Sequence, residues 1–362
     1  MLPGFRRLSL RPLSTLHPHA GPMIRYVCSA FALIILETSC GADYYRRFWT
    51  CTEIVTILTN HGCADLTLSL DEAACSRYPI ANGGLGDVFR GQLLDGMTVA
   101  IKTIRPFHDQ GQSARMYHKQ ASREIYTWSK CKHPNVVHLI GLAVFRDSLA
   151  MISRWEENGN LVQYLTRNPS ADRCRLSTSI CAGLAYLHGG EIIHGDLKGL
   201  NVLISEDGTP KLMDFGNAQL AAATLQFTQT KTGPSHSLRW AAPEILGGAT
   251  AHSFAGDIYA LGMRRFQTIM EAFTSEIPFE NKVKSDKAIV THVLVRKKTP
   301  ERPRNIIPET SICGNILWAI LMSCWSYNPK RRPSAEFVWK AMKPLTRENL
   351  KEIEDEPEED ED

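Results

Sequence analysis

The feature that most constrains the fold is a change in hydrophobic periodicity near residue 155. Upstream of it, short runs such as MTVAIKTI and SLAMISRW alternate between apolar and polar residues, as half-buried strands do. Downstream, apolar residues recur at helical spacing in LSTSICAGLAYLH, NILWAILMSCW and SAEFVWKAM, which indicates helices. Elements segregated in this way predict an α+β arrangement of two unlike lobes with a cleft between them.

Composition supports a domain of that size with flanking segments. The chain has 362 residues, 43% hydrophobic and 22% charged, enough for two lobes with cores of their own. We predict an N-terminal extension (1–77), a bilobal domain (78–345, the lobes meeting near residue 155) and an acidic disordered tail (346–362). The tail has ten acids and one lysine from Glu348 onward. Such a run cannot bury itself. It serves solubility, binds a basic partner or docks onto the basic body of the chain.

The extension contains one apolar run, Tyr26–Leu36, of eleven residues. A membrane-spanning helix needs about 20, so we predict no stable membrane span, although the acid-free first 25 residues have the composition of a transit peptide. The ten cysteines form no CxxC pair, which favours reduced thiols in an intracellular protein. We therefore expect a cytoplasmic location.

A glycine-rich turn follows the extension. Gly83, Gly84 and Gly86 allow backbone amides to approach an anion such as a phosphate. Because Val88 and Phe89 continue a strand, the glycines lie at a hairpin tip, whereas a dinucleotide-binding turn opens a helix. Taken alone, this turn is weak evidence.

Lys102 becomes a candidate phosphate-binding residue because a carboxylate downstream could pair with it. Lys102 stands in VAIK, within a predicted strand, and Glu124 lies on the helix predicted over 113–131. A Lys102–Glu124 pair would hold the ammonium against phosphate oxygens.

The polar residues that carry chemistry are concentrated in IIHGDLKGLNVLI (192–204) and in the DFG that follows it. Asn201 and Asp214 supply the hard oxygens that magnesium prefers. Asp196 is then available to orient a hydroxyl and accept its proton, and Lys198 to neutralise a transferring phosphoryl group. The histidine at 194 is interpreted as a packing residue.

The order of these motifs identifies a family. Glycine loop, VAIK lysine, helix glutamate, HGDLKGLN, DFG and APE (Ala242–Glu244) follow the set typical of protein kinases, whose chemistry is phosphoryl transfer from ATP. From Tyr78 to Leu345 the chain resembles the eukaryotic protein kinase family. The resemblance implies the bilobal protein-kinase-like fold, with a small antiparallel-sheet N-lobe carrying one main helix and a larger, mainly helical C-lobe. It also implies ATP and Mg2+ as cofactors and protein substrates. No nucleic-acid partner is expected, and the oligomeric state is left open.

The resemblance also assigns residues. It implies Asp196, Lys102, Lys198 and Glu124 as catalytic residues and Asn201 and Asp214 as metal ligands. Ser153 would be the gatekeeper beside the adenine, with the backbone from Arg154 to Glu156 reading its edge. The nucleotide site as a whole comprises Ile80, Ala81, Gly83, Gly84, Gly86, Val88, Ala100, Lys102, Ser153, Arg154 and Glu156.

Further positions match the family outside the site. Asp257 fits the helix carboxylate that braces the catalytic loop, and Arg332 fits the partner of Glu244. DLKGLN resembles serine/threonine-directed kinases, and RWAAPE resembles the tyrosine-kinase-like group, whose members are mostly serine/threonine enzymes. A packed spine is also implied, formed by Trp128, Leu139, His194 and Phe215.

Three departures favour an alternative, a catalytically weak or inactive pseudokinase-like scaffold. Gly195 replaces the arginine usual before the catalytic aspartate, and Ala81 replaces the first loop glycine. Arg264–Gln267 add about one turn to a predicted C-lobe helix, which is either a bulged turn or an artefact of how the coding sequence was assembled. A kinase fold acting on small molecules is a third alternative, against which the complete APE segment favours protein substrates. From Gly195 we predict that phosphorylation of the activation loop is not strictly required.

Overall fold

The protein is described from a computed structural model that covers residues 50–60, 62–82, 86–104, 125, 127–214, 219–220 (backbone), 241–262, 290–297 and 299–350. The sequence assignments at Tyr26–Leu36, Gly83, Gly84, Glu124, Phe215, Arg264–Gln267 and the acidic tail from 351 onward lie outside the described residues. The chain divides into two units, residues 1–62 and 63–362.

The first unit contributes one described helix, Cys51–Asn60 (α1). The Thr50 hydroxyl accepts the Glu53 N–H, and the Glu53 carboxylate accepts the Thr50 N–H at 2.8 Å. This reciprocal capping box satisfies donors that a helix start would otherwise leave without partners. Among the described residues, no helix is both long and apolar enough to cross a bilayer.

The second unit begins with the predicted antiparallel sheet. Its strands follow the order β1-β3-β4-β6-β5, with β2 paired to β3. They are β1 (Leu70–Asp71), β2 (Ala81–Asn82), β3 (Asp87–Leu93), β4 (Thr98–Thr103), β5 (Leu139–Phe145) and β6 (Ser148–Arg154). In β4 every second residue is buried, as the period of two requires. These side chains form the lobe's core: Leu70, Leu93, Val99, Ile101, Ala143, Phe145, Ala150 and Ile152.

The sheet starts earlier than the sequence indicated. Leu70 pairs with Leu93 and is 7% exposed, so residues assigned to the extension add an edge strand and a core side chain. A strand of two residues is too short for its periodicity to be recognised in the sequence. The predicted helix over 113–131 is described only at its end, where residues 127–129 are helical.

The described residues after β6 are mainly helical, as predicted. Its helices are α2 (Leu161–Arg167), α3 (Arg173–Gly189), α4 (Pro243–Leu246), α5 (Phe254–Gly262), α6 (Ile312–Cys324) and α7 (Ala335–Met342). Three of them begin at an Asp or Ser whose side chain accepts the N–H three residues on: Asp172, Ser311 and Ser334. Such caps typically contribute about 1 kcal/mol each.

Short strands and turns complete the described part of the fold. β8 (Val202–Ile204) and β9 (Pro210–Leu212) form a hairpin, and β7 (Ile192–Ile193) pairs with β10 (Gln219–Leu220). Short 3-10 turns lie at Thr67–Ser69, Glu72–Ala74, Gly199–Asn201 and Pro329–Arg331, and a π-helical turn at Thr291–Val295. The loop between β7 and β8 carries the polar residues of HGDLKGLN, and β9 leads to Asp214, which meets Lys102 of the N-lobe sheet.

Candidate active site

The loop after β7 is held by a carboxylate of helix α5. Asp257 accepts the backbone N–H groups of His194 at 2.8 Å and Gly195 at 2.9 Å, and its Oδ2 lies 3.0 Å from the His188 ring. Burial acts to raise the pKa of Asp257, but the His188 and Gly195 hydrogen bonds and the nearby histidines hold it below its ordinary value. The predicted bracing role of Asp257 is confirmed.

The two residues held by Asp257 have distinct roles. His194 is fully buried, and its Nε2 lies 3.1 Å from the Met213 carbonyl, which agrees with its interpretation as a packing residue. Gly195 has φ +76°, in the left-handed region that a residue with a Cβ adopts only at a cost. The glycine thus suits the backbone that turns the loop toward Asp196.

Three polar side chains of this loop form one cluster. The Lys198 ammonium lies 2.6 Å from the Asp196 carboxylate. The Asn201 amide nitrogen donates to the Asp196 carbonyl at 2.8 Å and to the same carboxylate at 3.1 Å. The Asp196 carboxylate is therefore held in one orientation by a cation and an amide. Because Asn201 is bound through its nitrogen, its oxygen is the end directed to other ligands.

The start of DFG meets the VAIK lysine. Asp214 Oδ1 lies 2.9 Å from Lys102 Nζ. Burial acts to raise the pKa of Asp214, but Lys102, followed by the weaker effects of His194 and Lys198, lowers it below the ordinary value. The Met213 N–H donates to the Asn201 carbonyl at 2.9 Å, which brings Asp214 beside the catalytic loop.

The predicted adenine edge lies at the end of β6. Ser153 is buried and pairs with Ala100, and the Trp155 N–H donates to the Thr98 carbonyl at 3.1 Å. Because backbone groups alternate in direction along a strand, those of Arg154 are directed away from β4. Glu156 lies beyond β6, and its carbonyl accepts the Gly159 N–H at 3.1 Å.

The described part of the glycine loop forms the edge of the sheet. Ile80 and Ala81 are exposed, while Val88 is half-buried and pairs with Lys102. A Cβ at Gly86 would collide with the Thr103 carbonyl. Gly86 therefore has a packing role in addition to its predicted closeness to phosphate.

Sequence reasoning missed one charged residue near the site. Lys211 Nζ lies 2.6 Å from the Glu156 carboxylate. The two residues are 55 positions apart, and a lysine in a short strand carries no signal of a buried partner. Glu156 was predicted to act through its backbone alone.

The APE segment is anchored as the resemblance implied. Glu244 and Arg332 form two parallel hydrogen bonds, of 2.6 and 2.7 Å. Arg332 also donates to the carbonyls of Ser326 and Ala255, each at 2.8 Å. The predicted pair is confirmed, and it joins α4 to the turn at Pro329–Arg331.

The donor set fits magnesium. Asn201 and Asp214, the two predicted ligands, offer an amide and a carboxylate oxygen, which suit a small hard cation that takes its other ligands from phosphates and water. A set of three or more His, Cys, Asp or Glu suited to a metal does not occur among the described residues, so the site differs from an all-protein metal cage.

Comparison with known proteins agrees with the fold. A model of the protein kinase domain matches residues 77–342, and the chain belongs to the protein kinase family. It is 27% identical over 275 residues to the serine/threonine-protein kinase STY46 of Arabidopsis thaliana, covering 75% of this chain and 44% of the relative.

Two further relatives are similar over the same domain. The chain is 31% identical over 299 residues to the leucine-rich repeat receptor protein kinase MSP1 of Oryza sativa subsp. japonica, covering 77% of this chain and 22% of the relative. It is 27% identical over 269 residues to mitogen-activated protein kinase kinase kinase 2 of Arabidopsis thaliana, covering 72% and 39%. The chain thus spans less than half the length of these relatives.

Proposed function

We propose that the protein transfers the terminal phosphoryl group of ATP to serine or threonine hydroxyls of protein substrates. The observation that carries the proposal is the cluster of Asp196 with Lys198 and Asn201, at 2.6 and 3.1 Å. It holds a carboxylate in a fixed orientation beside a cation, as a general base for an alcohol requires.

The remaining roles follow from the same geometry. Asp196 orients the substrate hydroxyl and accepts its proton, and Lys198 stabilises charge on the transferring group. Lys102 binds phosphate oxygens, with Glu124 as its predicted partner. Asn201 and Asp214 hold a magnesium ion, which when bound neutralises phosphate charge.

The hinge and the glycine loop bind the nucleotide. The backbone of Arg154 and Glu156 reads the adenine edge and Ser153 lies behind it. The other nucleotide-binding residues are those named from the sequence, namely Ile80, Ala81, Gly83, Gly84, Gly86, Val88 and Ala100. The serine/threonine preference is supported by Lys198 in DLKGLN and by the name of one relative, the serine/threonine-protein kinase STY46. A cytoplasmic location stays a prediction.

The test is an assay of purified protein with labelled ATP, magnesium and a generic protein substrate, beside Asp196→Asn. We expect label on serine and threonine with the parent and a loss of about three orders of magnitude or more with Asp196→Asn. The variant should still bind ADP, since Asp196 acts on the hydroxyl.

Other outcomes point to the alternatives. A parent protein that binds ADP but transfers no label would favour the pseudokinase-like scaffold. Label on small hydroxyl compounds but not on protein would favour a small-molecule kinase. Label confined to tyrosine would contradict the serine/threonine assignment.

A further inference from the structure

The chain leading away from the hinge is attached to the β8–β9 hairpin by a series of contacts. The Asn158 side-chain nitrogen donates to the Ser205 carbonyl at 2.7 Å. The Ile204 N–H donates to the Gly159 carbonyl at 2.8 Å, and Asn160 forms a bridge with Leu203. Backbone and amide groups thus align this segment along one side of the hairpin.

One contact of this series joins two charges. Lys211 Nζ lies 2.6 Å from Glu156 Oε1, and the side chains are 23% and 5% exposed. Glu156 lies just beyond the end of β6, at the predicted adenine edge, and its carbonyl accepts the Gly159 N–H at 3.1 Å. The side chain and the backbone of this residue are therefore both held by contacts.

The Glu156 carboxylate is almost fully buried, at 5% exposed. A carboxylate buried to this degree is destabilising unless a cation or hydrogen-bond donors compensate it. Lys211 lies three residues before Asp214, on the strand that leads to it. The ion pair therefore links the backbone that would bind adenine to the strand that presents the predicted metal ligand.

We propose that Lys211 is a positioning residue for the nucleotide, which fixes the backbone of Glu156 against the adenine edge by binding its carboxylate. This inference rests on the proposed function, because it concerns the nucleotide of that same reaction. Lys211 itself contacts neither reacting atom. Its effect is on how well the hinge is preorganised, so it acts on nucleotide affinity more than on turnover.

The experiment measures the Kd of ADP by calorimetry and the KM and kcat for ATP. We expect Lys211→Met to raise both Kd and KM about tenfold, because a hinge that is no longer preorganised must be ordered when the nucleotide binds. The kcat at saturating ATP should stay within about twofold, as expected when binding is lost equally in the ground and transition states. Lys211→Arg, which keeps the charge, should restore most of the affinity.

A matched control exists on helix α7. Glu336 and Lys340 form an ion pair of 2.7 Å with both side chains about two-thirds exposed. Lys340→Met removes the same chemical group from a pair that water screens, so Kd and KM should be unchanged. Glu156→Gln is a second variant, which keeps the side-chain shape and should also weaken ADP binding.

The outcomes separate the two proposals. A parent protein that binds no ADP overturns the proposed function and this inference with it. If the parent binds ADP and the Kd of ADP is unchanged in Lys211→Met and Glu156→Gln, the inference alone is overturned. An equal fall in melting temperature for Lys211→Met and Lys211→Arg, without a change in KM, would likewise assign the pair to stability only.

Discussion

The ammonium of Lys102 and the carboxylate of Asp214 lie 2.9 Å apart, although 112 positions separate them in the chain. Lys102 stands on β4 of the N-lobe, and Asp214 follows β9 in the C-lobe. The ion pair therefore joins the two lobes and brings the predicted phosphate-binding cation to a predicted metal ligand. Two segments that look unrelated in the sequence meet at one point.

Replacement of Lys102 should lower kcat/KM far more than it lowers the stability of the fold. We expect Lys102→Met to lower kcat/KM at least about a hundredfold, because preorganised donors to developing charge typically contribute factors of this order. Steady-state kinetics with ATP and a protein substrate measure this. Lys132→Met, at an exposed position, is the control and should behave as the parent. Parent-like turnover by Lys102→Met would contradict the role of the pair.

The Glu244–Arg332 pair should contribute mainly to stability. The Arg332 side chain is fully buried, and its loss leaves the Glu244 carboxylate and two carbonyls without their donor. We expect Arg332→Met to lower the free energy of unfolding by about 3–5 kcal/mol, as for other broken buried pairs.

Urea unfolding provides the measurement, with lysine as a second variant. Arg332→Lys should recover little, because an ammonium cannot form the two parallel bonds of the guanidinium. Lys340→Met should leave the unfolding curve unchanged, since its pair with Glu336 is exposed. A curve for Arg332→Met that overlays the parent would show that the pair is dispensable.

The motifs were predictable because the chain matches the pattern of a family. That resemblance implied the pairing of Arg332 with Glu244 across 88 positions. The bracing by Asp257 was predictable for the same reason. The Lys211–Glu156 pair was not, because it depends on how a hairpin packs against the hinge. Strand β1 was missed because two residues hold too little periodicity.

Because of Asp257, the free energy of unfolding should fall as the solution becomes acid. Its pKa in the folded protein lies below its ordinary value, so the unfolded chain binds more protons in acid. The stabilisation is then complete above the unfolded pKa, about 3.9, and is lost as the pH falls through the folded pKa. We expect the stability difference between the parent and Asp257→Asn to be largest near pH 7 and to shrink below about pH 5.

Urea unfolding of both proteins at intervals from neutral to acid pH measures this difference. The parent curve should fall more steeply than the variant curve in acid. Parallel curves would show that Asp257 is not the group responsible.

A Cβ at position 195 should lower the free energy of unfolding. Its φ of +76° lies in the region that L residues occupy at about 1–2 kcal/mol. We expect Gly195→Ala to lower the free energy of unfolding by about 1 kcal/mol. Gly189→Ala is the matched control, because a Cβ there meets nothing within 4 Å and alanine favours the helix. Equal stabilities of the two variants would contradict this interpretation.

Gly195 also bears on activation. In many related kinases an arginine at this place binds a phosphate on the activation loop, whereas Gly195 offers only its backbone, and its N–H is already donated to Asp257 at 2.9 Å. A phosphate on the loop would therefore find no cation at position 195.

Activity should not depend strictly on the loop hydroxyls, which lie outside the described residues: Thr228, Thr230, Thr232, Ser235 and Ser237. Replacing all five by alanine should leave kcat/KM within about tenfold of the parent, a coupling far weaker than an obligatory switch. Phosphatase treatment of the parent should have the same small effect. A loss of several orders of magnitude in either experiment would show that a cation elsewhere in the C-lobe binds the phosphorylated loop.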